Sequence, residues 1–192
     1  MLYIYTGNPA SGKSLNAAKK MYDSLLSGKE SVIANYDIDH KYLDEMIRVG
    51  NIKTSTKFTY VNNQKLTYQF LIEYANANHS LKDFEKKRIA QTTVFIDEWL
   101  QFGFDLLTYD EKKQWIYLFE NSNRFAFDFV IISQHTKFID PNILGLVDYE
   151  MKHEKKNEYG IFSIDLYLYG KDKHLKHSYL IYDERYSKLY TG

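Results

Sequence analysis

The order of apolar runs along the chain predicts an α/β domain: a mostly parallel sheet flanked by helices, followed by an antiparallel β ribbon. Three observations predict it. Compact apolar runs of strand length recur at 2–6, 31–35, 93–97 and 127–133, as expected of strands buried on both faces. Stretches with apolar residues at helical spacing lie between them. From about Val147 the texture changes to short strand-like segments separated by polar turns.

Taken in order, 2–6 is an apolar strand that ends at a glycine. Residues 12–26 form a helix, since Leu15, Ala18, Met21, Tyr22, Leu25 and Leu26 share one face, and Gly28 stops it. A second strand at 31–35 precedes a short helix, 42–49, closed by Gly50. Residues 56–68 alternate around Asn62-Asn63, the pattern of a hairpin. A helix follows at 68–78, and Ser80 with Asp83 offers an N-cap for another through Ile89. After the strand at 93–97, Thr108 and Glu111 form a capping box for a helix over about 109–123. The strand at 127–133 leads to Asp140-Pro141, a helix start with proline at the first position. Strands at 149–153, 161–169 and 177–182 complete the chain. Residues 1–146 read as the core and 147–192 as a β extension of the same domain.

Composition bounds the function. The chain has 192 residues, enough for one domain with a real core. Its 25 basic and 25 acidic residues leave no net charge, whereas a free-standing nucleic-acid binder is basic overall. Contact with DNA would therefore need a local patch. The absence of cysteine excludes disulfides, thiolate metal sites and cysteine nucleophiles, and suits a cytosolic chain. The start of the sequence does not read as a signal peptide, and no apolar run approaches the roughly 20 residues needed to cross a bilayer.

The segment GNPASGKS, Gly7 to Ser14, matches G-x-x-x-x-G-K-S/T in full. Glycine is roughly 7% of residues, so a chance match in a chain this long is on the order of 1%. Its place between a strand and a helix strengthens it. Gly7 and Gly12 would let the backbone wrap a triphosphate, with Asn8, Pro9, Ala10, Ser11 and Leu15 completing the cradle. The loop amides and helix N-terminus offer donors to phosphate. Lys13 would reach the β- and γ-phosphates, and Ser14 would supply a magnesium ligand. ATP and Mg²⁺ are thus the expected ligands. In TVFIDE, residues 93–98, the apolar part buries a strand, Asp97 at its end can hold the metal, and Glu98 can polarise the attacking water. The strand in FVIISQH, residues 129–135, ends at Gln134, a candidate sensor of the γ-phosphate, with His135 a structural neighbour. Arg124 is a candidate arginine finger for a neighbouring subunit, ahead of Arg88 and Arg185. His174 and His177 have a metal-like spacing, but the sequence places no third ligand beside them.

This combination resembles the zonular occludens toxin family, which includes assembly ATPases of filamentous phages and belongs with the FtsK–HerA division of P-loop ATPases. The resemblance is carried by LYIYTGNPASGKS at the start, by Asn35 in VIANYDI, by FIDEW at 95–99, by NRFAFDFVIISQHTKFIDPNI at 123–143 and by ERYSKLYTG at 184–192. Ala10 departs from the glycine many relatives carry, a change the minimal motif tolerates. The resemblance implies the additional-strand, catalytic-Glu type of P-loop fold, with a strand between those of the loop and Walker B. It implies an ATPase of phage assembly, DNA packaging or DNA export, acting as a homo-oligomeric ring such as a hexamer. It further implies contact with DNA and with a membrane-bound assembly partner, in the host cytoplasm or at the inner face of the membrane. The membrane-spanning helix usual in filamentous-phage members is not found here. Lys53, Lys57 and Lys65 are the expected DNA-facing lysines. Two other classes stay open: a small-molecule kinase, against which the scarcity of arginine and the presence of Glu98 count, and a slow nucleotide-dependent scaffold.

Overall fold

The computed structural model describes residues 1–28, 30–50, 57–80, 90–98, 104–171 and 173–190. Its strands are β1 (Leu2–Thr6), β2 (Ser31–Ala34), β3 (Phe58–Tyr60), β4 (Thr92–Asp97), β5 (Phe127–Ile132), β6 (Tyr149–Lys155), β7 (Ile161–Leu168) and β8 (Lys173–Ile181). Its helices are α1 (Lys13–Ser27), α2 (His40–Val49), α3 (Tyr68–Asn78), α4 (Tyr109–Glu120), α5 (Pro141–Leu144) and α6 (Glu184–Leu189). The described strands form one sheet in the order β3–β2–β4–β5–β1–β6–β7–β8. Every neighbouring pair from β3 to β6 is parallel, and β7 and β8 continue antiparallel. β5 lies between β1 and β4, the insertion expected of the additional-strand type.

Strand alternation sorts the apolar residues into two layers. Leu2, Ile4, Val94, Ile96, Phe127, Phe129 and Ile131 face one side, where Leu71, Trp115, Leu118 and Ile143 of α3, α4 and α5 cover them. Tyr5, Val32, Phe95, Val130 and Ile132 face the other, against Ala17, Met21 and Leu25 of α1, Leu43 of α2 and Leu189 of α6. With both faces covered, the strands can be continuous apolar runs, and their carboxyl ends all open at one edge.

Helix termini obey local chemistry. The Thr108 side chain accepts from the Glu111 amide while Glu111 reaches back to Thr108, so the capping box forms. Asp140 caps α5 ahead of Pro141. The stretch at 56–68 differs from expectation. No hairpin forms across Asn62-Asn63: β3 instead pairs in parallel with β2. The Val61 amide donates to the Ala34 carbonyl, Asn62 accepts from the Lys65 and Leu66 amides, and Leu66 turns into the core. The chain is then delivered to Thr67, which caps α3. The expected antiparallel ribbon is present as β6, β7 and β8, and β6 also joins β1 in parallel, which makes the ribbon an extension of the main sheet. The helix expected from the Ser80 cap through Ile89, Arg88, Trp99 and Lys53 lie outside the described residues; Lys57 and Lys65 are exposed.

Candidate functional site

The segment from Gly7 to Gly12 crosses from the end of β1 to α1. Gly7 (φ 140°) and Gly12 (φ 96°) have left-handed torsions that disfavour a side chain. Space forbids one as well. A Cβ on Gly7 would lie 2.3 Å from the His153 carbonyl oxygen, and one on Gly12 would lie 2.7 Å from the Phe162 ring. The glycines therefore let β6 and β7 press against the loop. Ala10 is also left-handed (φ 59°), so its backbone demands what glycine supplies most cheaply. The tolerance expected from the minimal motif overlooks that strain.

Lys13 is buried, and its ammonium donates to the carbonyls of Gly7 (2.7 Å) and Asn8 (2.9 Å). Burial lowers its pKa, and the carboxylates of Asp97 and Glu98 pull the other way. The hydroxyl of Ser11, buried inside the loop, has no hydrogen-bond partner. A cation satisfied only by carbonyls, an orphaned hydroxyl and a helix N-terminus form a donor set suited to an anion of phosphate size.

β4 carries Asp97 to the same edge. Burial, followed by the neighbouring Glu98, raises the Asp97 pKa to about 6. Asn35, just beyond β2, clamps it: the Asn35 amide donates to the Asp97 carbonyl and accepts from the Asp97 amide, both at 2.8 Å, and also donates to Asn63 at 2.8 Å. Beyond this clamp Glu98 is exposed and left-handed (φ 54°), strain of the sort concentrated at functional sites. Gln134 follows β5, and its carbonyl accepts from the Gly7 amide at 3.3 Å. A cleft of about 280 Å³ brings together Lys13, Ser14, Asp97, Glu98, Gln134 and Tyr190. A larger cavity of about 720 Å³ adjoins Glu98 on the α3–α4 side, and no residue of the loop lines it.

Arg124 is not in this cleft. It is exposed in the turn before β5, whereas Gln134 lies past the other end of that strand. Six strand residues at about 3.3 Å each separate it from its own loop by roughly 20 Å. Arg185 forks onto Asp183. His174 and His177 converge on one oxygen of Asp165, at 2.9 and 2.7 Å. The third group unseen in the sequence is therefore present, though among the described residues no such cluster is arranged to hold a metal. His135 is exposed beside Phe138.

Two residues at the site, His153 and Tyr190, are not among the expected site residues. His153 of β6 is buried; its Nε2 accepts from Asn16 at 3.0 Å and its Nδ1 donates to the Thr6 carbonyl at 3.2 Å. Burial drives its pKa down to about 4, which keeps this brace neutral. Tyr190, beyond α6, donates to Asp97 at 3.4 Å and has the Ser14 hydroxyl as a second hydrogen-bonding neighbour. Only the tyrosine-rich tail hinted at it.

A family model described as zonular occludens toxin (Zot) matches residues 1–190. The chain belongs to the Zot family. Comparison with curated protein sequences returns no significant match. Among solved structures, this Zot-family chain is similar to the N-terminal domain of zonular occludens toxin from Neisseria meningitidis, with a TM-score of 0.55 and 15% identity over 98% of this chain and 97% of that one. It is similar to the genome packaging NTPase B204 of Sulfolobus turreted icosahedral virus 2 in complex with ATP-gammaS, with a TM-score of 0.55 and 12% identity over 93% and 95% of the two chains. The pCW3 conjugation coupling protein TcpA gives a TM-score of 0.57 and 14% identity over 95% of this chain and 61% of that one. At such identities the likeness shows the P-loop fold. No helix among the described residues is long and apolar enough to cross a membrane.

Proposed function

We propose that this Zot-family chain is a magnesium-dependent ATPase that works as a homo-oligomeric ring, moving DNA during phage assembly, packaging or transfer. The observation that carries the proposal is the single cleft shared by Lys13, Ser14, Asp97, Glu98 and Gln134. Its donor chemistry fits magnesium, because a hydroxyl and a carboxylate are hard oxygen ligands and Tyr190 already joins the two through its phenol. Ser14 and Asp97 would hold the ion, whose positive charge would offset that of the phosphates. Lys13 would exchange its carbonyl partners for phosphate oxygens. Glu98 would accept a proton from water as the water oxygen bonds to the γ-phosphorus and the bond to the β-phosphate oxygen breaks, releasing ADP. Gln134 would orient that water or the γ-phosphate. On this reading the 147–192 extension is part of the ATPase, since His153 braces the loop from β6 and Tyr190 reaches the cleft.

The place of Arg124 supports the ring. It lies roughly 20 Å from its own loop, at the opposite end of β5, so it can touch a γ-phosphate only in a neighbour packed head to tail. DNA contact falls to exposed lysines such as Lys57 and Lys65. A partner at the inner face of the host membrane completes the proposal. The test is ATPase rate per protomer against protein concentration, with and without DNA. A steep rise with concentration, and partial rescue when Arg124→Ala is mixed with Lys13→Ala, supports the ring. A concentration-independent rate with no rescue overturns it in favour of a monomeric kinase or scaffold.

A further inference from the structure

Beside the phosphate cleft lies a second groove of about 390 Å³, lined by Leu15, Ala18, Phe162, Tyr182, Tyr186 and Ser187. Ala10, Lys13, Ser14 and Tyr190 line both spaces, so the groove continues from the loop along α1. Its volume falls within the range of small-ligand sites. Its aromatic rings are held in place. Tyr182 is half exposed, yet its backbone amide donates to Gly160 at 2.7 Å, its Cβ packs on Gly160, and its hydroxyl shares a 2.8 Å hydrogen bond with Ser187. Phe162 is fixed against Gly12. Tyr186 meets the edge of Tyr22 at 5.3 Å.

We propose that this groove is the seat of the nucleotide base and holds purines by stacking alone, so that GTP is bound about as well as ATP. The inference rests on the nucleotide reading above and names its substrate class. A site that tells adenine from guanine must pair the base edge, because the two differ there by an amine and a carbonyl. Among the described residues lining the groove there is no carboxylate, carboxamide or guanidinium side chain. The hydroxyls of Tyr182 and Ser187 are already paired with each other, and Ser187 also reaches the Glu184 carbonyl. Stacking on an aromatic face is indifferent to the base, since every base has one. Large discrimination needs buried polar groups that the wrong substrate leaves unpaired.

The test is calorimetric binding of three probes with magnesium: AMP-PNP, GMP-PNP and inorganic tripolyphosphate. Each is measured on the wild type, Tyr182→Leu and Lys13→Ala. Tyr182→Leu keeps an apolar side chain and removes the ring at a half-exposed position. The two nucleotides should bind within about tenfold of each other, given no edge-pairing side chain. Tyr182→Leu should weaken both by at least about fivefold, the lower end of a stacking loss, and leave tripolyphosphate unchanged. A preference above about tenfold for one purine overturns the proposal, and so does Tyr182→Leu with unaltered nucleotide affinity. If tripolyphosphate also fails to bind, or Lys13→Ala binds every probe normally, the nucleotide reading itself is overturned and the base seat falls with it.

Discussion

Removing the charge of Asp97 should make the metal-free protein more stable while it destroys magnesium-dependent nucleotide binding. Asp97 has a pKa of about 6 instead of 3.8, because burial and Glu98 oppose its ionised form more than Lys13 supports it. A shift of about two units corresponds to about 3 kcal/mol of strain on the ionised folded state, an upper bound for a partly exposed group. The sign follows from proton counting. The folded state binds more protons than the unfolded one between the two pKa values, so stability falls as pH rises through that window and stays low above it. Asp97→Asn keeps the side-chain shape and the Asn35 clamp, which grips only the backbone of residue 97. In chelator at about pH 8 the substitution should stabilise by about 1 to 3 kcal/mol, or about 3 to 9 °C in midpoint for a chain of this length. The gain should vanish by about pH 3, below both pKa values, where the wild-type carboxyl is protonated in the folded and the unfolded state. Thermal melts followed by circular dichroism across pH measure the difference directly. A variant no more stable than wild type at the higher pH, or one whose advantage persists at the lower pH, refutes the reasoning.

Three further outcomes follow from other residues. Ala10→Gly should raise stability by about 0.5 to 1 kcal/mol, since it relieves a left-handed alanine; an unchanged or lower melting midpoint contradicts this. Neutral His153 has a pKa of about 4 in place of 6.5, so its contribution is complete above the higher value and is lost as pH falls towards the lower. In the Asp97→Asn background, acidification from about pH 7 to 4.5 should therefore cost about 2 to 3 kcal/mol through this group, a slope that His153→Gln flattens. Tyr190→Phe removes the hydroxyl that occupies Asp97 and Ser14 and keeps the ring packed on Tyr36. Magnesium-dependent nucleotide affinity should then rise about two- to tenfold, the value of one hydrogen bond that must be broken, with no change in chelator; weaker binding would make the phenol a ligand instead of an obstacle.

The legible parts of this fold are those whose physics is local. A strand buried on both faces must be apolar throughout, so β1, β4 and β5 announce themselves. The loop announces itself because phosphate cradling dictates residue types at fixed spacing. The capping box at Thr108 and Glu111 closes within four residues and is equally visible. The hairpin expected at 56–68 fails because Asn62-Asn63 is a turn signal in either arrangement. Long-range pairing of Val61 with Ala34, together with burial of Leu66, decides between the two. Likewise the pairing of β6 with β1 joins residues some 146 positions apart, from Tyr3↔Tyr149 to Thr6↔Lys152. The brace from His153 to Asn16 spans 137 positions and the reach of Tyr190 to Asp97 spans 93, so no window of sequence contains either. The strain at Ala10 and Glu98 is a property of torsion angles, which residue identity alone does not reveal.

The most direct test of the central claim is to measure ATP binding and phosphate release together for Glu98→Gln. Glutamine preserves the size of the side chain but cannot take a proton from water. The account predicts magnesium-dependent ATP binding close to wild type, with phosphate release reduced at least about a hundredfold, the lower end of a general-base contribution. Hydrolysis at the wild-type rate by Glu98→Gln would contradict it.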